Sequence, residues 1–278
     1  MHFWDLSHDT VEFAWLQPGV PHPALGDIEG LKARRYATEE YVADTRFNNV
    51  IKSVHTQVAT SADPVEETRW LQSLADKSGF PHGIVAYCDL AADDAEATIE
   101  RHMEFANVRG IRHGGNDDSF IDRAWRRGYQ ALAKHGLVFT HQIGLDRMPT
   151  ARDLIGAIPE VVFCVDHAGM PRERTREYFD AWRQGMESLA AYPNTVCKIS
   201  ALGMCDPRWT VESLRPWVLA CIEVFGVERS FFGSNFPVDR LFSTYTDLMN
   251  AFREIVGDFP LDERRALFQT NAERVFRV

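Results

Sequence analysis

The sequence has no apolar stretch of the roughly 18 to 20 residues that a membrane-crossing helix needs, and no basic segment followed by an apolar core at its N-terminus. A bilayer-spanning or signal-led chain is therefore not expected. Positive charge is also in short supply: 30 Lys and Arg stand against 40 Asp and Glu, a formal net charge of −10. Over most of its surface such a chain repels a nucleic-acid backbone or an anionic membrane, so neither is expected as its main partner. Cysteines are few. Cys88, Cys164, Cys197, Cys205 and Cys221 are odd in number, form no Cys-x-x-Cys pair and mostly lie in apolar runs. That usage points to reduced, buried thiols in a cytoplasmic protein rather than to disulfides or a cysteine metal site. Nor does any linker-like segment divide the 278 residues.

What the sequence does have is a repeated alternation. With 45% hydrophobic and 25% charged residues it is an ordinary globular chain, long enough for a large core. Short apolar runs rich in β-branched residues recur between amphipathic segments of helical length, the sequence form of βα units around a parallel sheet. Strands are expected at Met1–Asp5, Asn49–Gln57, Gly83–Cys88, Val108–Arg112, Leu137–Ile143, Val161–Asp166, Val196–Ser200 and Ser230–Gly233. Helices are expected at Pro64–Ser78, Ala92–Phe105, Phe120–Lys134, Thr150–Ala157, Glu173–Ala191, Val211–Phe225, Tyr245–Val256 and Asp262–Phe276. In the first of these Val65, Thr68, Leu71 and Leu74 or Ala75 share one face. Eight strands and about eight helices predict an α/β fold with a single (β/α)8 TIM barrel over residues 1–278. The segment Leu16–Glu40, with Pro18, Pro21, Pro23 and several turn glycines, breaks the rhythm and reads as a long loop over the C-terminal mouth of that barrel.

In a barrel, polar residues at the C-terminal ends of strands converge on one mouth. Here they are His2, His55 and Gln57, Arg112 and His113, His141 and Gln142, Asp166 and His167, Lys198 and Ser200, and Asn235. The sharpest signal is VVFCVDHAGMP, five apolar residues running into Asp166-His167 and a turn. An imidazole there can bind a metal or take a proton from water. Arg112 suits a carboxylate or a polarised carbonyl, with a rim salt bridge as the competing reading. His113, His141 and Lys198 read as substrate contacts, against satisfied core or structural roles. Asn235 has no useful basicity but can position water, donate to an oxyanion or act as a neutral ligand, and Asp239 reads first as an exposed loop salt bridge.

These residues sit in motifs that resemble a known family. They are HFWD (2–5), ETRWLQ (67–72), PHGIVAYCDL (81–90), GIRH (110–113), VDHAGMP (165–171), VCKISAL (196–202), FGSNFPVDR (232–240) and NAERVFRV (271–278). In order and spacing the chain resembles the amidohydrolase-related barrel hydrolases, which include L-rhamnono- and L-fucono-lactonases, 4-sulfomuconolactonase and 2-pyrone-4,6-dicarboxylate lactonase. That resemblance implies a His-x-His pair on the first strand, a later histidine and a final aspartate, which in metal-using members hold a divalent ion, commonly zinc. Carried onto this chain, His2 matches the second histidine of the pair and His167 the later one, while Asn235 stands at the aspartate position. Met1 occupies the middle position of the pair, so a few native residues are expected upstream of it.

The resemblance implies opening of a sugar-acid or aromatic-catabolite lactone by water. His167 would be base or ligand, His2 a ligand, and Arg112, His113, His141 and Lys198 substrate contacts, with Asn235 positioning water. One zinc ion is the expected cofactor, metal-free catalysis the alternative. The expected partner is a small molecule, and a homodimer is a family-level expectation. Metal-dependent decarboxylation of an aromatic or dienoic acid, or binding of a small acid without turnover, are the rival readings.

Overall fold

The computed structural model describes residues 1–22, 25–113 and 119–278; Pro23, named in the expected loop, lies outside them. Seven parallel strands run in sequence order: β3 (Val54–Thr56), β4 (Gly83–Tyr87), β5 (Val108–Arg112), β6 (Val138–Gln142), β7 (Phe163–Asp166), β8 (Thr195–Ile199) and β9 (Ser230–Phe232). Helices α2 (Val65–Ser78), α3 (Ala95–Met103), α4 (Arg123–Lys134), α5 (Met148–Ala157), α6 (Arg176–Ala190), α7 (Val211–Phe225) and α8 (Tyr245–Ile255) follow the successive strands. The chain closes with α9 (Leu261–Arg265), a wider turn at Ala266–Thr270 and α10 (Asn271–Phe276). This is the curled sheet of the α/β barrel.

The sheet is buried on both faces, as parallel sheets are. Alternate residues divide between the two sides. Ile84, Ile111, Phe139, Phe163, Cys197 and Ile199 pack outward among the helices. Val85, Val138, Cys164, Val196 and Phe231 form a separate inner cluster closed by Val275 and Phe276. Gly110 pairs with Val85 and Val138 in that inner layer, where a Cβ would come within 2.5 Å of the Val138 carbonyl oxygen. No larger residue fits there without moving backbone.

The expected first strand takes a different form. Met1 and His2 lie against the barrel: the Met1 nitrogen donates to the Val54 carbonyl (3.1 Å), Thr56 N–H donates to the Met1 carbonyl (3.0 Å), and His2 N–H donates to the Phe236 carbonyl (2.8 Å). They bridge β3 and the chain after β9 at the mouth. Beyond them β1 (Trp4–Asp5) turns away and pairs antiparallel with β2 (Arg35–Tyr36). The Leu16–Glu40 segment is thus not all loop. Its end carries β2 and the start of α1 (Thr38–Thr45), whose first turn is held by Glu40 accepting from the Ala37 N–H at 2.9 Å. The prolines and glycines that suggest a loop all precede these elements.

Candidate active site

The mouth is the inner face of the sheet continued by one pleat. Two residues beyond Val85, Gly110, Val138, Cys164 and Val196 come Tyr87, Arg112, Thr140, Asp166 and Lys198, on the same side because side chains alternate with period two. Gln142 follows Thr140 by the same step. Apolar side chains fill the barrel below, and polar ones gather where the strands end.

Asp166 and Lys198 meet there at 2.9 Å, with the Asp166 side chain 1% exposed and that of Lys198 15%. Burial by itself would raise the Asp166 carboxyl. The Lys198 ammonium, aided by His167 and Arg112, overrides it and holds the carboxyl well below the usual range. Next to it His167 begins a left-handed turn, with φ of 58° at His167, 52° at Ala168, 64° at Gly169 and 49° at Met170. Non-glycine residues pay about 1 to 2 kcal/mol each for that conformation. The turn is tied by Met170 N–H to the His167 carbonyl (2.9 Å) and by the Trp182 indole N–H to the Ala168 carbonyl (3.0 Å). A Cβ on Gly169 would meet the Met186 sulfur at 2.6 Å. Strain of this kind concentrates at functional sites, where the surroundings fix it.

The His167 ring is buried, with Nδ1 2.8 Å from the Ser200 hydroxyl. Burial pulls its pKa down to about 3, against the pull of Asp166 and with help from Lys198 and Arg112, so the ring is neutral. Arg112 reaches only Gln142 Oε1, at 3.5 Å, and no carboxylate pairs with it among the described residues.

On the other side of the mouth, His2 Nδ1 lies 2.8 Å from the Thr56 carbonyl, which can only accept, so Nδ1 carries the hydrogen. Burial holds this ring well below its ordinary pKa, leaving a lone pair on Nε2. That lone pair faces Asn235 Oδ1 at 3.2 Å, while Asn235 Nδ2 donates to Asp239 Oδ1 at 2.7 Å. Asp239 is 2% exposed, not the surface salt bridge its loop position suggests, and burial pushes its carboxyl up to about 7 against the Asn235 hydrogen bond.

His2, Arg112, Asp166, His167, Lys198 and Asn235 line one cavity, and Trp15, His22 and Leu25 of the N-terminal segment join His2, Arg112 and His167 on a continuation of it. His113 and His141 differ from the expected substrate contacts. His141 follows Phe139 on the helix-facing side of β6, stacks on it with ring centroids 5.7 Å apart, and donates from Nδ1 to the His113 carbonyl at 3.0 Å. His113 Nδ1 accepts from the Leu90 N–H (3.1 Å) and the Trp125 indole (2.9 Å). Each is one residue out of register with the mouth; Arg112 and Gln142 are the neighbours that face it. Tyr87 is absent from the strand-end residues read in the sequence, where Gln142 stands without an assigned role and Asp239 as a loop salt bridge; the period-two steps Val85-x-Tyr87 and Val138-x-Thr140-x-Gln142 carry Tyr87 and Gln142 to the mouth.

The Amidohydrolase family model matches residues 1–278. The chain belongs to that family. Among its relatives, protein y4mH of Sinorhizobium fredii is 40% identical over the whole chain and 96% of its own length. An L-fucono-1,5-lactonase of Burkholderia ambifaria is 30% identical over 80% of each chain. Among solved structures, an amidohydrolase from Burkholderia multivorans with bound zinc superposes with a TM-score of 0.85 at 23% identity, covering 100% of this chain and 97% of its own.

The donors present fall short of a usual zinc site, which takes at least three protein ligands. Lone pairs of His2 Nε2 and Asn235 Oδ1 converge at 3.2 Å, close to the edge between two ligands of a tetrahedral shell with bonds of about 2.0 to 2.1 Å. Among the described residues no three His, Cys, Asp or Glu side chains form a metal-holding group.

Proposed function

We propose that this amidohydrolase opens a lactone ring, of a sugar acid or an aromatic catabolite, by adding water to the ring carbonyl. The observation that carries the reading is the pairing, in one cavity, of a neutral buried imidazole with an arginine that forms no salt bridge to a carboxylate among the described residues: His167 and Arg112. The similarity to an L-fucono-1,5-lactonase at 30% identity supports it.

With Nδ1–H donated to the Ser200 hydroxyl, His167 presents its Nε2 lone pair to the cavity and takes a proton from the attacking water. The water oxygen bonds to the carbonyl carbon, the ring C–O bond then breaks, and the leaving oxygen recovers the proton to give a hydroxy acid. Arg112, steadied by Gln142, stabilises the negative oxygen that develops at the carbonyl. Lys198 is occupied by Asp166 and sets the charge of the cavity floor. Trp15, His22 and Leu25 limit bulk water at the entrance.

The test is proton release at neutral pH from aldonolactones and from pyrone and muconate lactones, with added zinc or with chelator. Hydrolysis of at least one class is expected. Silence across the panel, or carbon dioxide release from dihydroxybenzoates instead, would overturn lactone opening.

A further inference from the structure

The N-terminal segment over the mouth has little apolar surface with which to hold itself in place. Leu16 on one side of it and Ile28 and Leu31 on the other are buried, but residues 17–21, Gly26 and Asp27 are exposed. Between those anchors His22 and Leu25 are half-buried and line the cavity with Arg112 and His167. A stretch with so few buried contacts opens locally unless polar groups tie it down. Lys32 supplies the tie. Its side chain is 3% exposed, and its ammonium donates to the Gln17 carbonyl at 2.8 Å, the Val20 carbonyl at 2.7 Å and Glu29 Oε1 at 2.6 Å. All three of its hydrogens are used in this way. Glu29 Oε1 also accepts from the Gly19 N–H at 3.0 Å, so both members of the pair hold residues 17–20. From there the chain enters His22, whose backbone exchanges two hydrogen bonds of 2.8 Å with Gly26. The His22 ring meets Trp15 edge-on with centroids 5.5 Å apart, and the Trp15 indole N–H is fixed on the Val58 carbonyl at 3.0 Å. Lys32 itself lies outside the cavity lining.

We propose that Lys32 is a positioning residue: it latches residues 17–20 so that His22 and Leu25 stand beside Trp15 as a fixed wall of the mouth, and that wall selects which lactone ring enters. Lys32 touches no substrate and acts only through the wall. A wall of fixed shape discriminates by fit, and one carbon more or less in such a pocket changes kcat/KM by about tenfold or more. A loosened wall admits both rings. The selectivity of the wall rests on lactone opening, whereas the latch does not.

Two measurements on the full chain test it. Amide hydrogen exchange followed by mass spectrometry reads the latch without turnover, and kcat and KM on a five-membered and a six-membered aldonolactone read the wall. Lys32→Met, which keeps the buried stem and loses the donors, should speed exchange over residues 17–32 at least about tenfold. It should also bring the kcat/KM ratio of the two rings at least about threefold nearer to one, mainly through KM. Glu29→Gln still offers an oxygen to Lys32 and Gly19, so its exchange should stay within about threefold of the unaltered chain. Should Lys32→Met not fold, Glu29→Ala reads the same latch at a side chain 54% exposed, and should speed exchange where Glu29→Gln does not. His22→Ala leaves the latch in place and should shift the ratio while exchange over residues 29–32 stays as it was. Unchanged exchange in Lys32→Met, or equal acceleration in Glu29→Gln, would overturn the latch. A ratio already near one in the unaltered chain, or faster exchange with an unchanged ratio, would overturn the wall. Silence on every lactone would remove lactone opening and the wall with it, while the exchange comparison would still decide the latch.

Discussion

Asp166 and Lys198, from adjacent strands, form an ion pair at 2.9 Å inside the barrel, and the second carboxylate oxygen of Asp166 is buried without a hydrogen-bond partner among the described residues. A pair so placed is more valuable for what breaking it exposes than for its own attraction. Lys198→Met leaves a buried carboxylate uncompensated and should cost about 3 to 5 kcal/mol of stability. Asp166→Asn in the same chain should recover most of that. Urea unfolding of the two single variants and the double would show it, and additive losses would mean that the two residues act separately.

His167→Gln should lower kcat/KM on whichever lactone is turned over by about 10²- to 10⁴-fold, the usual worth of a positioned proton acceptor. The amide can keep a hydrogen bond to Ser200, so the fold should survive. Circular dichroism alongside the rates separates the two effects. A variant that folds and retains full rate would remove His167 from the chemistry.

His141 faces the helices, and Gln142 the mouth. His141→Gln should therefore lower the melting temperature with kcat and KM nearly unchanged, whereas Gln142→Ala should change KM or kcat while stability moves little. Exchange of those two phenotypes would show that β6 has the opposite facing in solution.

His102 gives the fold an acid limit. Its Nε2–H donates to the Tyr87 carbonyl and its Nδ1 accepts from Thr68, both at 2.9 Å, which requires a neutral ring. Burial lowers its pKa from 6.5 to about 4. The unfolded chain therefore takes up this proton near pH 6.5 and the folded chain only near 4. The contribution is whole above 6.5 and is lost as pH falls from there through about 4. At about 1.4 kcal/mol per pH unit this is about 3 kcal/mol. Urea midpoints at pH 7 and pH 4.5 should differ by less in His102→Gln than in the unaltered chain; equal pH dependence would exclude His102 as its source.

The sequence by itself determined the class of fold and where its chemistry ends up along the chain. Apolar runs such as VVFCVD are short, β-branched and followed by helical patterns, and that local information already dictates strands, their parallel order and a polar end at Asp166-His167. The same held for Arg112, at the end of its strand, and for Asn235, three residues past Phe232. Only the tertiary structure decided which way each residue faces. Strands buried on both sides carry no polar–apolar alternation to mark the barrel axis, so Arg112 and His113, or His141 and Gln142, are equivalent until inter-strand register assigns them to opposite faces. The meeting of Asp166 with Lys198, the inward burial of Asp239 behind Asn235, and the approach of His2 to a residue 233 positions away are of the same kind. They follow from how the curled sheet brings distant strand ends together, a packing result that no local pattern encodes.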